Sequence, residues 1–210
     1  MSYYKKYPRT LHLPWSLGVS YDDIRMVDTD HFIKQEIVVT EKMDGENTTL
    51  YRDHIHARSL DSSYHPSRDW VKRWHSSIAH DIPEAWRICG ENLYAQHSVV
   101  YANLHSYFYG FSIWNADNIC LDWSETEEWF ALLGIDSPPV LYRGVWDVEL
   151  IQAFHVDEKI SEGYVVRLAG RFAYADFAQS VAKWVRKNHV QTDRHWMFSD
   201  INPNGLQENE

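Results

Sequence analysis

The run Glu41-Lys42-Met43-Asp44-Gly45-Glu46-Asn47 sets a lysine among carboxylates and just before a glycine. A lysine amine attacks an electrophile only when it is unprotonated, a state favoured by burial or by positive charge nearby. A lysine at the end of a buried strand, close to a bound metal ion, meets that need. Gly45 lets the chain turn sharply and approach a ligand closely. Taken alone, Lys-x-Asp-Gly fits a charged hairpin turn at least as well.

Further segments follow in a fixed order. Arg58 stands in His56-Ala57-Arg58-Ser59, and Gly90-Glu91-Asn92-Leu93-Tyr94 comes next. Tyr107-Phe108-Tyr109-Gly110-Phe111-Ser112-Ile113, Ser161-Glu162-Gly163-Tyr164-Val165-Val166-Arg167 and Val181-Ala182-Lys183-Trp184-Val185-Arg186-Lys187 complete the set. Together, from about Glu41 to Lys187, it resembles the ordered motifs of the covalent nucleotidyltransferases: RNA ligases, DNA ligases and mRNA-capping guanylyltransferases. Asn47 at the second position past the glycine, Gly-Glu-Asn followed by an aromatic, and the closing Lys-Trp-Val-Arg-Lys are most similar to the RNA ligases typified by the phage enzyme that seals nicks in duplex RNA.

The resemblance implies ATP as substrate, with Mg²⁺ or Mn²⁺, and AMP held on Lys42 as a phosphoramidate. It implies catalytic roles for Lys42, Glu162 and Lys183, and a nucleotide site that also includes Glu41, Asn47, Arg58, Glu91, Phe111 and Lys187. Phe111 stacks on the adenine in this reading, Glu91 binds the ribose hydroxyls, and Glu162, with Glu91, holds the metal. Arg58, Lys183 and Lys187 neutralise phosphate charge, and Arg186 is an alternative to Lys187. The plainer reading of Phe111 is core, beside Tyr107, Phe108 and Tyr109. Ser112 departs from the family, where an Asp usually follows the aromatic.

The elements that must position these groups are legible in outline. Ile37, Val38 and Val39 before the Asp-Gly turn, and Thr48 to Tyr51 after it, read as strand, turn, strand, with Lys42 at the junction. Arg87–Tyr94, Tyr107–Trp114, Gly163–Leu168 and Val181–Val185 read as further strands. If the last is a strand, Lys183 enters the site while Trp184 packs behind it. Trp70, Trp74 and Ile78 recur every fourth residue, which predicts a helix over Pro66 to His80. A second helix is expected from Ser124, with Glu127 completing a capping box and Gly134 ending it, and a weaker one over Asp147 to Phe154. Residues 1–30 read as a loop-rich extension and the segment after Asn202 as a frayed tail. Strands interrupted irregularly by helices predict an α+β fold of antiparallel sheets flanked by helices, in a single domain over residues 1–210.

Ten tryptophans and thirteen tyrosines predict an aromatic-rich core, stacking on bases, or both. The formal net charge of -10 argues against a uniformly basic surface that coats nucleic acid, but permits a local basic groove. Cys89 and Cys120 lack metal-ligand spacing and read as reduced core thiols. The N-terminus has no secretory pattern and no run is long enough to span a membrane, so a soluble, cytoplasmic protein is expected. Only 23 residues follow Lys187, too few for the OB-fold or helical module found after the last motif in related enzymes. A partner protein replacing that module, or recognition of a small or preorganised end, is therefore expected. The leading functional expectation is joining of RNA 5′-phosphate and 3′-hydroxyl ends in repair. The alternatives are a lysine-adenylylating enzyme acting on DNA or a small phosphorylated acceptor, and a non-catalytic nucleotide-binding module.

Overall fold

A computed structural model describes residues 3–21, 23–187 and 201–207. Eleven strands form two sheets among these residues. The first contains β1 (Leu11–His12), β2 (Glu36–Glu41), β8 (Val140–Val145), β9 (Gly163–Leu168) and β11 (Val181–Val185), in the order β1-β11-β9-β2-β8. The second contains β3 (Glu46–Tyr51), β4 (Ile55–Ala57), β5 (Arg87–Asn92), β6 (Phe108–Trp114), β7 (Ile119–Cys120) and β10 (Phe172–Ala173), in the order β10-β7-β6-β5-β3-β4. All named strand pairs are antiparallel except β1 with β11. The fold is the expected α+β arrangement.

Side-chain alternation along the five-stranded sheet separates core from cleft. Ile37, Val39, Tyr164, Val166 and Ala182 pack on its far face with Leu13, Phe32 and Ile151. Thr40, Val165, Arg167, Val181 and Lys183 line a cleft on the near face. Helix α1 (Asp69–Ile78) and helix α2 (Trp123–Leu133) cover the outer face of the six-stranded sheet through Val71, Ile78, Phe130 and Leu133. Between the two sheets, Cys89, Trp114, Cys120, Phe172, Phe177 and Val181 close the floor of the cleft.

Several sequence expectations need correction. Helix α2 is capped by Asp122, whose carboxylate accepts the Glu125 N–H at 2.9 Å, not by Ser124. Asp is as good an N-cap as Ser, and the fully packed Trp123 extends the helix one residue earlier. The Ser124 hydroxyl instead accepts from Arg143 at 2.6 Å. The region 147–154 contains only a short helix, α3 (Val148–Gln152), and a further short helix that the sequence does not predict, α4 (Phe177–Ser180), leads into β11. The tail is docked rather than frayed over residues 201–207. Asn204 is buried, donates to Leu93 O at 2.7 Å and accepts from the Tyr101 N–H at 2.9 Å. The N-terminal extension contributes β1 to a sheet, so it is not all loop.

Candidate active site

Lys42 follows β2, and its N–H donates to Gly163 O at 2.9 Å, which fixes the lysine beside the start of β9. Glu162, the residue before β9, is buried, and its carboxylate forms a hydrogen-bonded ion pair with Lys42 Nζ. Gly163 has a φ of 154°, and a Cβ there would stand 2.0 Å from Trp184 O, so only glycine lets β9 start this close to β11. From the facing sheet, Glu91 Oε1 accepts the Gly45 N–H at 3.3 Å. A Cβ at Gly45 would stand 2.5 Å from Asn92 O, which explains the glycine of the Lys-Met-Asp-Gly turn.

Lys42, Gly45 and Glu91 line a cavity of about 760 Å³ between the sheets, and Glu162 stands behind that lining, paired with Lys42. Glu41, Lys42, Asn47, Arg58, Glu91, Phe111 and Lys183 all face it. Phe111 owes its place to a break in register. Cys89 pairs with Ser112 and Gly90 with Gly110, so Phe111 is the extra residue of a β-bulge. Bulges re-aim side chains, and here both Phe111 and Ser112 line the cavity. Ser112 is buried and accepts the Trp114 indole N–H at 3.1 Å. The expected strand geometry of Lys183 holds, with Trp184 stacked on Tyr164 behind the sheet.

Lys187 is placed elsewhere. It lies past the end of β11, exposed and outside the cavity lining. Arg186 is buried instead. Its N–H donates to Glu162 O at 3.0 Å and its Nη2 to Ser98 Oγ at 3.2 Å. Asp44 also points away from the cavity. Its carboxylate accepts from Ser98 Oγ at 2.7 Å and Val99 N–H at 2.8 Å, and its N–H donates to Tyr101 OH at 2.9 Å. It is a clamp for the 98–101 loop.

Sequence reading missed several lining groups. Glu46 and Arg68 form a bidentate ion pair, with Nε to Oε2 at 2.7 Å. Arg167, Tyr7 and Thr10 also face the cavity, and the Tyr7 ring meets Phe111 edge-on at 5.2 Å. Arg167 follows Val165 at strand spacing and could have been found from that period. Tyr7 and Arg68 carry no local signal, because distant pairings bring them in.

Electrostatics distinguish the lysines. Burial opposes charge on Lys42, but Glu162 and Glu91 outweigh it and raise its pKa above the ordinary lysine range. Burial, together with Glu162 and Asp44, pushes Glu91 up to about 8 despite the opposing pull of Lys42. Lys183 is lowered by burial and by Lys42, with Asp23 opposing. Among the described residues, the buried Asn47 Oδ1 and Arg58 Nε have no hydrogen-bond partner. A buried polar atom left unpaired costs about 1–3 kcal/mol, which a ligand bearing a donor for one and an anionic oxygen for the other would relieve.

No cluster of three or more metal-ligating side chains occurs among the described residues. Glu162 and Glu91 are the carboxylates that flank Lys42. Two carboxylates suit Mg²⁺ or Mn²⁺ only when phosphate and water oxygens complete the shell.

The RNA ligase family model matches residues 35–185, more than half of the chain. The chain belongs to the RNA ligase family. Solved structures agree on the fold of this family member. A mutant of Naegleria gruberi RNA ligase with AMP and Mn superposes with a TM-score of 0.58 at 16% identity, over 88% of this chain and 56% of that one. The Naegleria gruberi enzyme with PPi gives 0.56 at 19% identity, over 86% and 57%. At such identities the likeness is one of fold. The chain spans a little over half the length of these structural relatives. No curated protein matches the sequence. Among the described residues, no helix is long and apolar enough to cross a membrane.

Proposed function

We propose that this chain is an ATP-dependent RNA ligase that works through AMP bound covalently to Lys42. The observation that carries the reading is the Lys42–Glu162 ion pair, flanked by Glu91, in a cavity whose walls retain the unpaired Asn47 Oδ1 and Arg58 Nε. In the first step the Lys42 amine attacks the α-phosphate of ATP, a P–N bond forms, and the bond to the β-phosphate breaks to release pyrophosphate. A 5′-phosphate oxygen of RNA then displaces Lys42 from AMP. Finally a 3′-hydroxyl attacks that end, loses its proton and expels AMP.

The chain's own groups set the order of events. Lys42 rests as an ammonium because Glu162 and Glu91 favour its charge. It must lose its proton before attack, a loss that its carboxylate neighbours oppose and that positive charge brought with the nucleotide would favour. A divalent cation held by Glu162 and Glu91 would supply positive charge that disfavours the ammonium and offsets the phosphates. Lys183 and Arg58 would face phosphate oxygens. Phe111 would stack on the base, with Tyr7 limiting the space beside it. The role of Lys187 passes to Arg186 in this reading, since Arg186 adjoins Glu162.

RNA with 5′-phosphate and 3′-hydroxyl ends is the proposed substrate, and repair of broken RNA the proposed setting. The test is intact mass after incubation with ATP and Mg²⁺ or Mn²⁺, beside Lys42→Ala. One AMP on the native chain alone, transferable to a 5′-phosphorylated RNA, is the expected result. Absence of an adduct under both metals overturns the catalytic reading. Transfer to DNA or a small phosphate ester in preference to RNA overturns the choice of acceptor.

A further inference from the structure

Strand β1 runs parallel to β11 with His12 opposite Lys183. His12 is fully buried, its Nδ1 2.8 Å from Ser16 Oγ and its Nε2 3.2 Å from Asp23 Oδ2. The other carboxylate oxygen, Asp23 Oδ1, accepts from Lys183 Nζ at 3.3 Å. A line of polar contacts thus runs Ser16, His12, Asp23, Lys183, from the N-terminal segment into the cavity.

Main-chain bonds hold this line rigidly. The His12 N–H donates to Ile24 O at 2.8 Å, and the Met26 N–H to His12 O at 2.7 Å. Asp23 closes a turn with Ser20, its N–H donating to Ser20 O at 3.1 Å and its Oδ2 accepting the Ser20 N–H at 3.2 Å. Ser16 Oγ also accepts the Val185 N–H at 2.9 Å, which ties the turn to the strand that carries Lys183.

A lysine stem has several rotatable bonds, and Lys183 shares its cavity with the like charge of Lys42. Without an anchor its ammonium would swing away. An ammonium has three donors, so one bond to Asp23 leaves two for phosphate oxygens. Asp23 is only 16% exposed and is held by its turn with Ser20, with the His12 imidazole close behind it, so it acts as an anchor and not as a drifting counter-ion.

We propose that Asp23, buttressed by His12, is a positioning residue that aims the Lys183 ammonium at the phosphate attacked by Lys42. This inference rests on the reading that Lys42 is adenylylated from ATP. The test follows Lys42–AMP formation by quenched intact mass, over hours so that slow variants remain measurable. It compares the native chain with Asp23→Ala, Asp23→Asn, Lys183→Ala and the double variant Asp23→Ala/Lys183→Ala, with a thermal melt of each.

Asp23→Ala is expected to slow the rate at saturating ATP about tenfold or more, with a smaller change in the ATP concentration for half-maximal rate. Asp23→Asn keeps an oxygen acceptor and recovers part of the rate. In the Lys183→Ala background, Asp23→Ala adds less than about twofold, because it acts through a group already gone. A structural role alone would move the melt and add fully in both backgrounds. Native rates in Asp23→Ala and Asp23→Asn, or full additivity, overturn this inference alone. A native chain that forms no adduct overturns the ligase reading and this inference with it.

Discussion

The two walls of the cavity differ in how their polar groups are satisfied. On the five-stranded side Lys42 pairs with Glu162 and Lys183 with Asp23, so the cations of the site are matched by anions before any ligand arrives. On the six-stranded side Glu46 and Arg68 satisfy each other, but Asn47 Oδ1 and Arg58 Nε, both buried, keep unmet hydrogen-bonding capacity among the described residues. A matched wall has to exchange partners for reaction to proceed, which ties it to rate. A wall with unmet capacity gains on occupation, which ties it to affinity.

The sharpest break in that contrast comes from Lys42→Ala, which should abolish the AMP adduct by intact mass, since Lys183, the other amine facing the cavity, is held by Asp23. Glu162→Gln should come next. It keeps the shape but removes the charge beside Lys42, and should lower the adenylylation rate at saturating ATP by roughly a hundredfold. Asn47→Ala and Arg58→Ala should separate the walls. Each should raise the ATP concentration for half-maximal adduct formation by about tenfold, as loss of a ligand hydrogen bond or ion pair of about 1.5 kcal/mol does, with a smaller effect on the saturating rate. If these variants slow the rate and leave ATP affinity unchanged, the division between walls is wrong.

The smallest effect concerns stability. His56 and His75 belong to the six-stranded half, and burial lowers the pKa of each below the ordinary histidine range. Their folded pKa values are depressed, so the neutral forms stabilise the fold fully above about pH 6.5, and that contribution is lost as pH falls towards the folded values. Urea midpoints should therefore drop between about pH 7 and pH 5.5, and less so in His75→Gln.

Where the sequence was legible, local chemistry and strand period agreed. Lys42, Glu91, Phe111 and Lys183 face one cavity, with Glu162 paired to Lys42, and the alternation in β11 points Lys183 inward and Trp184 outward. Illegible features depended on contacts across the chain. Nothing near Asn204 announces that it will be buried against Leu93 and Tyr101, and nothing near Tyr7 announces Phe111. The cap of α2 was misread because Asp122 and Ser124 are both good caps locally, and only the burial of Trp123 decides between them. Strand β8 escaped notice because it is an edge strand, with Val140, Leu141 and Val145 exposed and Gly144 within it. Asp44 of the Lys-Met-Asp-Gly turn braces the 98–101 loop, a contact that nothing near it in the sequence announces.

The strand order has a consequence for how the molecule comes into being. Strands β3 to β7 pair along residues 46–120 and can assemble from one stretch of chain. The other sheet sets β1 beside β11 and β2 beside β9, partners separated by more than half the sequence. Closing such long loops delays those pairings until the late strands exist. During synthesis, Lys42 emerges early but meets Glu162 and Lys183 only near the end. The Lys42 ion pair is therefore completed last, against a wall of the cavity that is already formed.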